Sequence, residues 1–208
     1  MATTPSTTPS TPPSTTPSTK FGGEEPLSIA QYKYFDFSVK SLVGGVILGV
    51  VMTIINAGIM ERVDTAITGG TWFPFAGGTH SIVSMLSAIF FGLPGAWITG
   101  LTNALFAVVT GSTPVAAGFI FNNIVYPIVA VFLTRQLSMR KWWHWFAVLI
   151  PTVFIGYAPL IYFVHTIFQL PWGTAILFSS YTNIAAIILA GILGKLIAEG
   201  IRKSGVVN

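Results

Sequence analysis

The chain has 208 residues, of which 52% are hydrophobic and only 8% charged, with a formal net charge of +4. A soluble domain carries about 25% charged residues, so this composition excludes an ordinary soluble fold and points to lipid as the solvent. Cysteine is absent, which removes disulfides, thiolate metal sites and cysteine nucleophiles.

The first 19 residues, MATTPSTTPSTPPSTTPST, are almost wholly Thr, Ser and Pro. Such a stretch cannot bury enough apolar area to offset its ordering entropy, which predicts a disordered tail over 1–19. It lacks a basic lead into an apolar core and does not read as a signal peptide. By composition alone, an O-glycosylated extracellular stalk is the alternative. Residues 20–40 read as a cytoplasmic, interfacial approach, with Ile29, Tyr32, Tyr34, Phe35 and Phe37 at the depth that aromatics favour.

Six apolar runs follow, which predicts an all-α membrane protein with a six-helix domain over 41–198 and a cytoplasmic tail over 199–208. Helix one covers 41–60. A polar, Gly-rich loop, ERVDTAITGGTWFPFAGG, leads to helix two over 79–91. Gly92-Leu93-Pro94-Gly95 is a sharp breaker, so helix three, 96–110, forms a tight hairpin with helix two. Gly111-Ser112-Thr113-Pro114 ends it. Helix four spans 115–134, and helix five spans 145–168 with Pro151 and Pro159 as kink points. Leu170-Pro171-Trp172-Gly173 turns the chain into helix six, 174–198. No Asp, Glu, Lys or Arg lies between Thr65 and Thr134 or between Trp142 and Gly194, as expected where a charge at mid-bilayer costs a few kcal/mol or more.

With both termini inside, every Lys and Arg except Arg62 falls on the inner side, a strong positive-inside bias. Adding or dropping a span would put the Arg135/Arg140/Lys141 loop or the C-terminal tail outside. The basic residues are thus a topology signal, and no nucleic-acid partner is implied.

That orientation gathers the uncharged polar and aromatic side chains toward the outer leaflet: Asn56, Trp72, His80, Asn103, Asn122, Asn123, Tyr126, Tyr157, His165, Tyr181 and Asn183. Amides in lipid need partners. Taken one at a time these residues can be helix-to-helix hydrogen bonds. Taken together, from all six helices, they would line a pocket for a small, flat, polar molecule. Glu61 and Asp64 fall in the outer loop, where solvation is the default reading. On helix one, Gly45, Gly49 and Thr53 make a small-residue face, suited to internal packing or to docking of a separate membrane subunit. There is no Walker loop, no HExxH and no paired membrane acid, so no enzymatic role, metal or cofactor is read.

Two stretches resemble a known family. AIFFGLPGAWITGLTNALFAVVTGSTP (88–114) looks like the second-to-third helix hairpin of substrate-binding S components of energy-coupling-factor transporters. GILGKLIAEGIRKSGVVN (191–208) is similar to the C-terminal end of their YkoE-like branch, associated with thiamine or its hydroxymethylpyrimidine precursor. The resemblance implies a plasma-membrane capture subunit without its own ATPase, which passes a vitamin inward with a T component and two ATPase subunits. It also implies docking through Gly45, Gly49 and Thr53, and a lid formed by the loop 61–78 with Trp72. Thiamine is cationic, yet helices two to six contain no acid, which leaves a neutral pyrimidine or another vitamin open. A membrane scaffold or assembly protein and a small stand-alone permease are the rival readings.

Overall fold

The computed structural model describes residues 19–69, 73–110 and 116–205. The Thr/Ser/Pro tail up to Ser18, Trp72, the Gly111–Pro114 stop and the last three residues lie outside that set. Among the described residues every regular element is helical. They are two short 3-10 turns (Thr19–Phe21 and Ile29–Tyr32), α1 (Val39–Ile55), a π turn (Asn56–Met60), α2 (Glu61–Thr68), α3 (Pro74–Thr110), α4 (Ala116–Thr134), α5 (Trp142–Phe168), α6 (Trp172–Leu189), a second π turn (Ala190–Gly194) and α7 (Lys195–Ser204). Five stretches are long and apolar enough to cross a membrane: Val39–Thr68, Pro74–Thr110, Ala117–Thr134, Trp142–Phe168 and Trp172–Ser204. By length and composition this is a multi-pass membrane protein.

α3 is not one rod. Gly92 has φ 66° and ψ −169°, outside any helical region, a conformation that glycine adopts without steric cost. His80 and Asn103, almost equally far from Gly92 along the chain, line one cavity. The halves 74–91 and 93–110 therefore run back alongside each other, as the breaker at Gly92 leads one to expect. The bend is fastened from outside, since Leu93 N–H donates to Tyr34 O at 2.9 Å.

α1 starts at Ser38, whose side chain accepts from Ser41 N–H, and its small-residue face lies against 93–110. A Cβ on Gly45 would sit 2.5 Å from Gly95 O, and one on Gly49 would sit 2.8 Å from Thr102 Cβ. Thr99 Oγ1 donates to Gly45 O at 3.0 Å. Thr53 is buried, its hydroxyl donating to Gly49 O. Gly45 and Gly49 are thus taken up by packing inside the chain, the alternative that the small-residue face leaves open, while Thr53 borders a groove lined by residues of α1, α2 and 93–110. Absent side chains let two backbones of the same chain meet, and a face closed in that way is not open to a second protein.

One end of the bundle carries the basic residues and is strapped by the segment before α1. Leu27 and Gln31 are buried there, and Gln31 Nε2 donates to Thr134 O and Leu137 O at 2.7 and 3.0 Å. Arg135, fully buried, donates to Lys33 O, Ala88 O and Thr134 Oγ1. Burial pulls its guanidinium down to about 10, so it remains charged at neutral pH. Lys195 donates to Met139 O and pairs with Glu199. The strap turns Ile29, Phe35 and Phe37 outward, matching an interfacial role. Helices five and six start earlier than the apolar pattern suggests, at Trp142 and Trp172. The indole rings sit in the first turn, where belt aromatics and helix are compatible.

Candidate ligand cavity

At the end opposite the basic cluster, the helices enclose a cavity that begins with a local change of helical pitch. In a regular α-helix, residue 61 would sit about 140° around the axis from residue 56. The π turn Asn56–Met60 instead closes an i→i+5 bond from Glu61 N–H to Asn56 O. Residue 61 is thereby stacked over residue 56, and both side chains line the cavity. Single π turns of this kind recur at functional sites.

α2 then folds over the start of α3. Asp64, fully buried, accepts from Phe75 N–H at 3.0 Å and Ala76 N–H at 2.8 Å. Its carboxylate satisfies amides left open at a helix N-terminus, with Pro74 in the first helical position, where no N–H is needed. Glu61 and Asp64 are thus not solvated loop residues. The expected loop over 61–78 is helical on both sides of the undescribed 70–72.

Deeper in, His80 is held on both ring nitrogens. Asn123 Nδ2 donates to Phe119 O at 2.8 Å, which turns its Oδ1 toward His80 Nε2 at 2.9 Å. Nε2 must then carry the proton, and Nδ1 accepts from the Tyr157 hydroxyl at 3.3 Å. Tyr126 packs behind this group, its ring edge-on to His80 at 5.5 Å and to Tyr157 at 6.1 Å. Asn122 Oδ1 accepts from Leu160 N–H at 3.1 Å. That amide follows Pro159, whose ring opens the α5 hydrogen-bond ladder.

α6 supplies Phe178, Ser179 and Thr182, and α4 adds Phe119. The lining is mainly apolar, with a few converging polar groups. Five buried polar atoms in this half have no partner among the described residues: Asn56 Oδ1, Ser81 Oγ, the Tyr126 hydroxyl, Ser179 Oγ and Asn183 Oδ1. Each such group costs about 1–3 kcal/mol when left unpaired. Asn56 and Ser179 belong to the lining, and their side chains are 5% and 2% exposed. As it stands, the space between the side chains has room for only a few waters.

Of the side chains expected in a pocket, Asn56, His80, Asn103, Asn122, Asn123 and Tyr157 come together here. Tyr126 and Asn183 are buried beside the cavity without lining it. His165 stacks on Trp172 at 3.8 Å and donates through Nδ1 to Leu170 O at 2.7 Å, closing the α5–α6 turn. Tyr181 is 54% exposed on the outer face of α6. His165 and Tyr181 therefore lie outside the cavity, because the register of each helix turns them away. Trp72 lies outside the described residues. The sequence reading missed Glu61, Phe73, Phe119, Phe178, Ser179 and Thr182. Ser179 and Thr182 share a helix face with Asn183 by i, i+3 and i, i+4 spacing, a signal that was present. The phenylalanines look like any lipid-facing aromatic, and Glu61 depends on the π turn.

Among the described residues no three His, Asp or Glu side chains gather as a metal site. Compared with family models, curated proteins and solved structures, the chain matches none.

Proposed function

We propose that this chain is the substrate-capture subunit of an ATP-driven vitamin importer, of the energy-coupling-factor S-component type. It crosses the plasma membrane six times, counting 74–91 and 93–110 separately, with both termini in the cytoplasm. It receives a small heteroaromatic vitamin or precursor, thiamine or hydroxymethylpyrimidine foremost, from outside. Hydrolysis belongs to separate ATPase subunits coupled through a T component. The coupling partner meets a surface other than Gly45 and Gly49, which pack against 93–110.

The observation that carries this reading is the cavity between the helices, with unpaired polar atoms, at the end away from the basic cluster. Positive charge favours the cytoplasmic side, which turns the cavity outward. Hydrogen-bonding groups buried without partners are an energetic cost that a polar guest would relieve. A scaffold would be expected to satisfy its amides internally, as the His80–Asn123–Tyr157 chain does.

The test is calorimetric titration of the purified full chain with thiamine and with hydroxymethylpyrimidine, without ATP. Binding at one site per chain, weakened at least tenfold by Asn103→Leu, is the expected result. No binding by either, or by other vitamins, would favour the scaffold reading.

A further inference from the structure

α1 and the segment 93–110 meet closely only toward the basic end of the bundle, where Gly45 and Gly49 let the two backbones approach. Beyond Gly49 the facing residues become bulky: Val50 and Ile54 on one side, Leu105, Phe106 and Val109 on the other. The helices part there and leave a groove of about 1230 Å³. Thr102, which packs on Gly49, forms its floor. Higher up, Ala57 and Gly58 supply little or no side chain, so the groove stays open. The five bulky wall residues are exposed.

Depth and charge say what the groove suits. Val39–Thr68 forms one helical stretch. From Lys40 to Arg62 it rises about 33 Å at 1.5 Å per residue, close to the ~30 Å of bilayer hydrocarbon. With Lys40 at one membrane surface, Arg62 reaches the other, at the depth of lipid phosphates. From Val50 to Arg62 the rise is about 18 Å, near the ~15 Å of a single leaflet. Arg62 stands exposed at the rim and belongs to none of the ion pairs among the described residues. The acids beside it are engaged elsewhere: Asp64 on the Phe75 and Ala76 N–H groups, and Glu61 buried with an interaction of its own. A free guanidinium is a rigid fork of N–H donors that matches phosphate oxygens.

We infer that this groove holds one phospholipid of the leaflet opposite the basic end, with its phosphate on Arg62 and one acyl chain between α1 and 93–110. A free phosphate would leave the apolar walls uncovered, and hydrocarbon alone would leave the guanidinium unpaired. Glu61 borders both this groove and the ligand cavity, so the lipid closes the membrane-facing side of the cavity wall. The assignment does not rest on what the cavity itself takes.

The experiment is native mass spectrometry of the full chain, purified in detergent and titrated with defined probes. Dioleoyl phosphatidylglycerol carries chains and phosphate, dioleoylglycerol only the chains, and glycerol phosphate only the phosphate. One phosphatidylglycerol per chain is expected, with both partial probes at least tenfold weaker. Arg62→Gln should weaken it about 10- to 100-fold, the size of a charged hydrogen bond. Gly58→Trp should displace it, because a Cβ at Gly58 meets nothing within 4 Å and the ring enters the groove without a clash at its root. Equal binding of dioleoylglycerol, or an Arg62→Gln that binds as wild type does, overturns the phosphate contact. Phosphatidylglycerol still held by a folded Gly58→Trp overturns the groove as its seat. If no phospholipid is retained, or if the chain is a dimer that Gly58→Trp makes monomeric, the whole proposal falls. Should Gly58→Trp fail to fold, Arg62→Gln and the ranking of the probes on the wild-type chain decide.

Discussion

The two ends of this bundle use similar polar residues to opposite effect. At the basic end, Gln31 and Lys195 are fully buried or nearly so, yet each is joined to backbone carbonyls left open where helices end. Arg135 is held the same way by two carbonyls and a hydroxyl, with only Nη2 lacking a partner. At the other end, Asn56, Ser179 and Asn183 are as deeply buried but keep an oxygen unpaired. Buried polar groups are normally satisfied, so the first pattern is what a structural role requires. The second is a cost that a bound molecule would remove. Burial alone does not separate anchor from site; hydrogen-bond satisfaction does.

Substitutions can break this contrast. The largest effect belongs to Arg135→Met, which leaves Lys33 O and Ala88 O without donors and should lower stability by about 3 kcal/mol or more. Thermal unfolding in detergent measures it, and a loss below 1 kcal/mol would show that the strap contributes little. Next is Gly45→Leu, whose side chain would meet Gly95 backbone at 2.5 Å from Cβ onward. It should cost about 2–3 kcal/mol, whereas an external docking face would tolerate it and lose only coupling.

At the cavity end the sign reverses. Ser179→Ala should leave the ligand-free protein unchanged or more stable by up to about 1 kcal/mol, since an unpaired hydroxyl is removed. It should also weaken binding of the best vitamin about tenfold. A destabilised but binding-competent Ser179→Ala would place Ser179 among the structural groups.

The strap itself should respond to acid. Lys141 and then the Ser138 hydroxyl hold the Glu24 carboxyl below the usual carboxylate range. Its contribution is therefore fully present above that range and lost as pH falls through the lowered value. After correction for intrinsic exchange rates, amide hydrogen-exchange protection over 20–35 should fall at low pH in wild type, with a flatter pH dependence in Glu24→Gln. The smallest expected effect is Tyr181→Ala, on the outer face of α6. Stability should move by no more than about 0.5 kcal/mol, with binding unchanged.

How much of this was legible depended on whether the signal was local. The break at Gly92 was plain, because Gly-Leu-Pro-Gly between apolar runs has few other uses. Helix four was placed within a residue, bounded by Gly-Ser-Thr-Pro and by Arg135. The loop 61–78 was misread because its helices depend on Asp64 reaching Phe75 and Ala76, a contact across the chain that no short window contains. The π turn gives no compositional warning, so Glu61 stayed hidden. His165 and Tyr181 were placed in the pocket by depth alone, and depth does not say which side of a helix faces inward. Gly45 and Gly49 showed that a close approach was coming without saying which helix would make it.

The cysteine-free chain allows the central claim to be tested directly. Phe73→Cys, at the cavity lining, and Lys203→Cys, at the basic end, can each be treated with a membrane-impermeant maleimide in intact cells. The account predicts that Phe73→Cys is labelled, and more slowly with saturating thiamine, while Lys203→Cys reacts only after permeabilisation. Labelling of Lys203→Cys in intact cells, with Phe73→Cys protected until permeabilisation, would put the cavity on the wrong side of the membrane and contradict it.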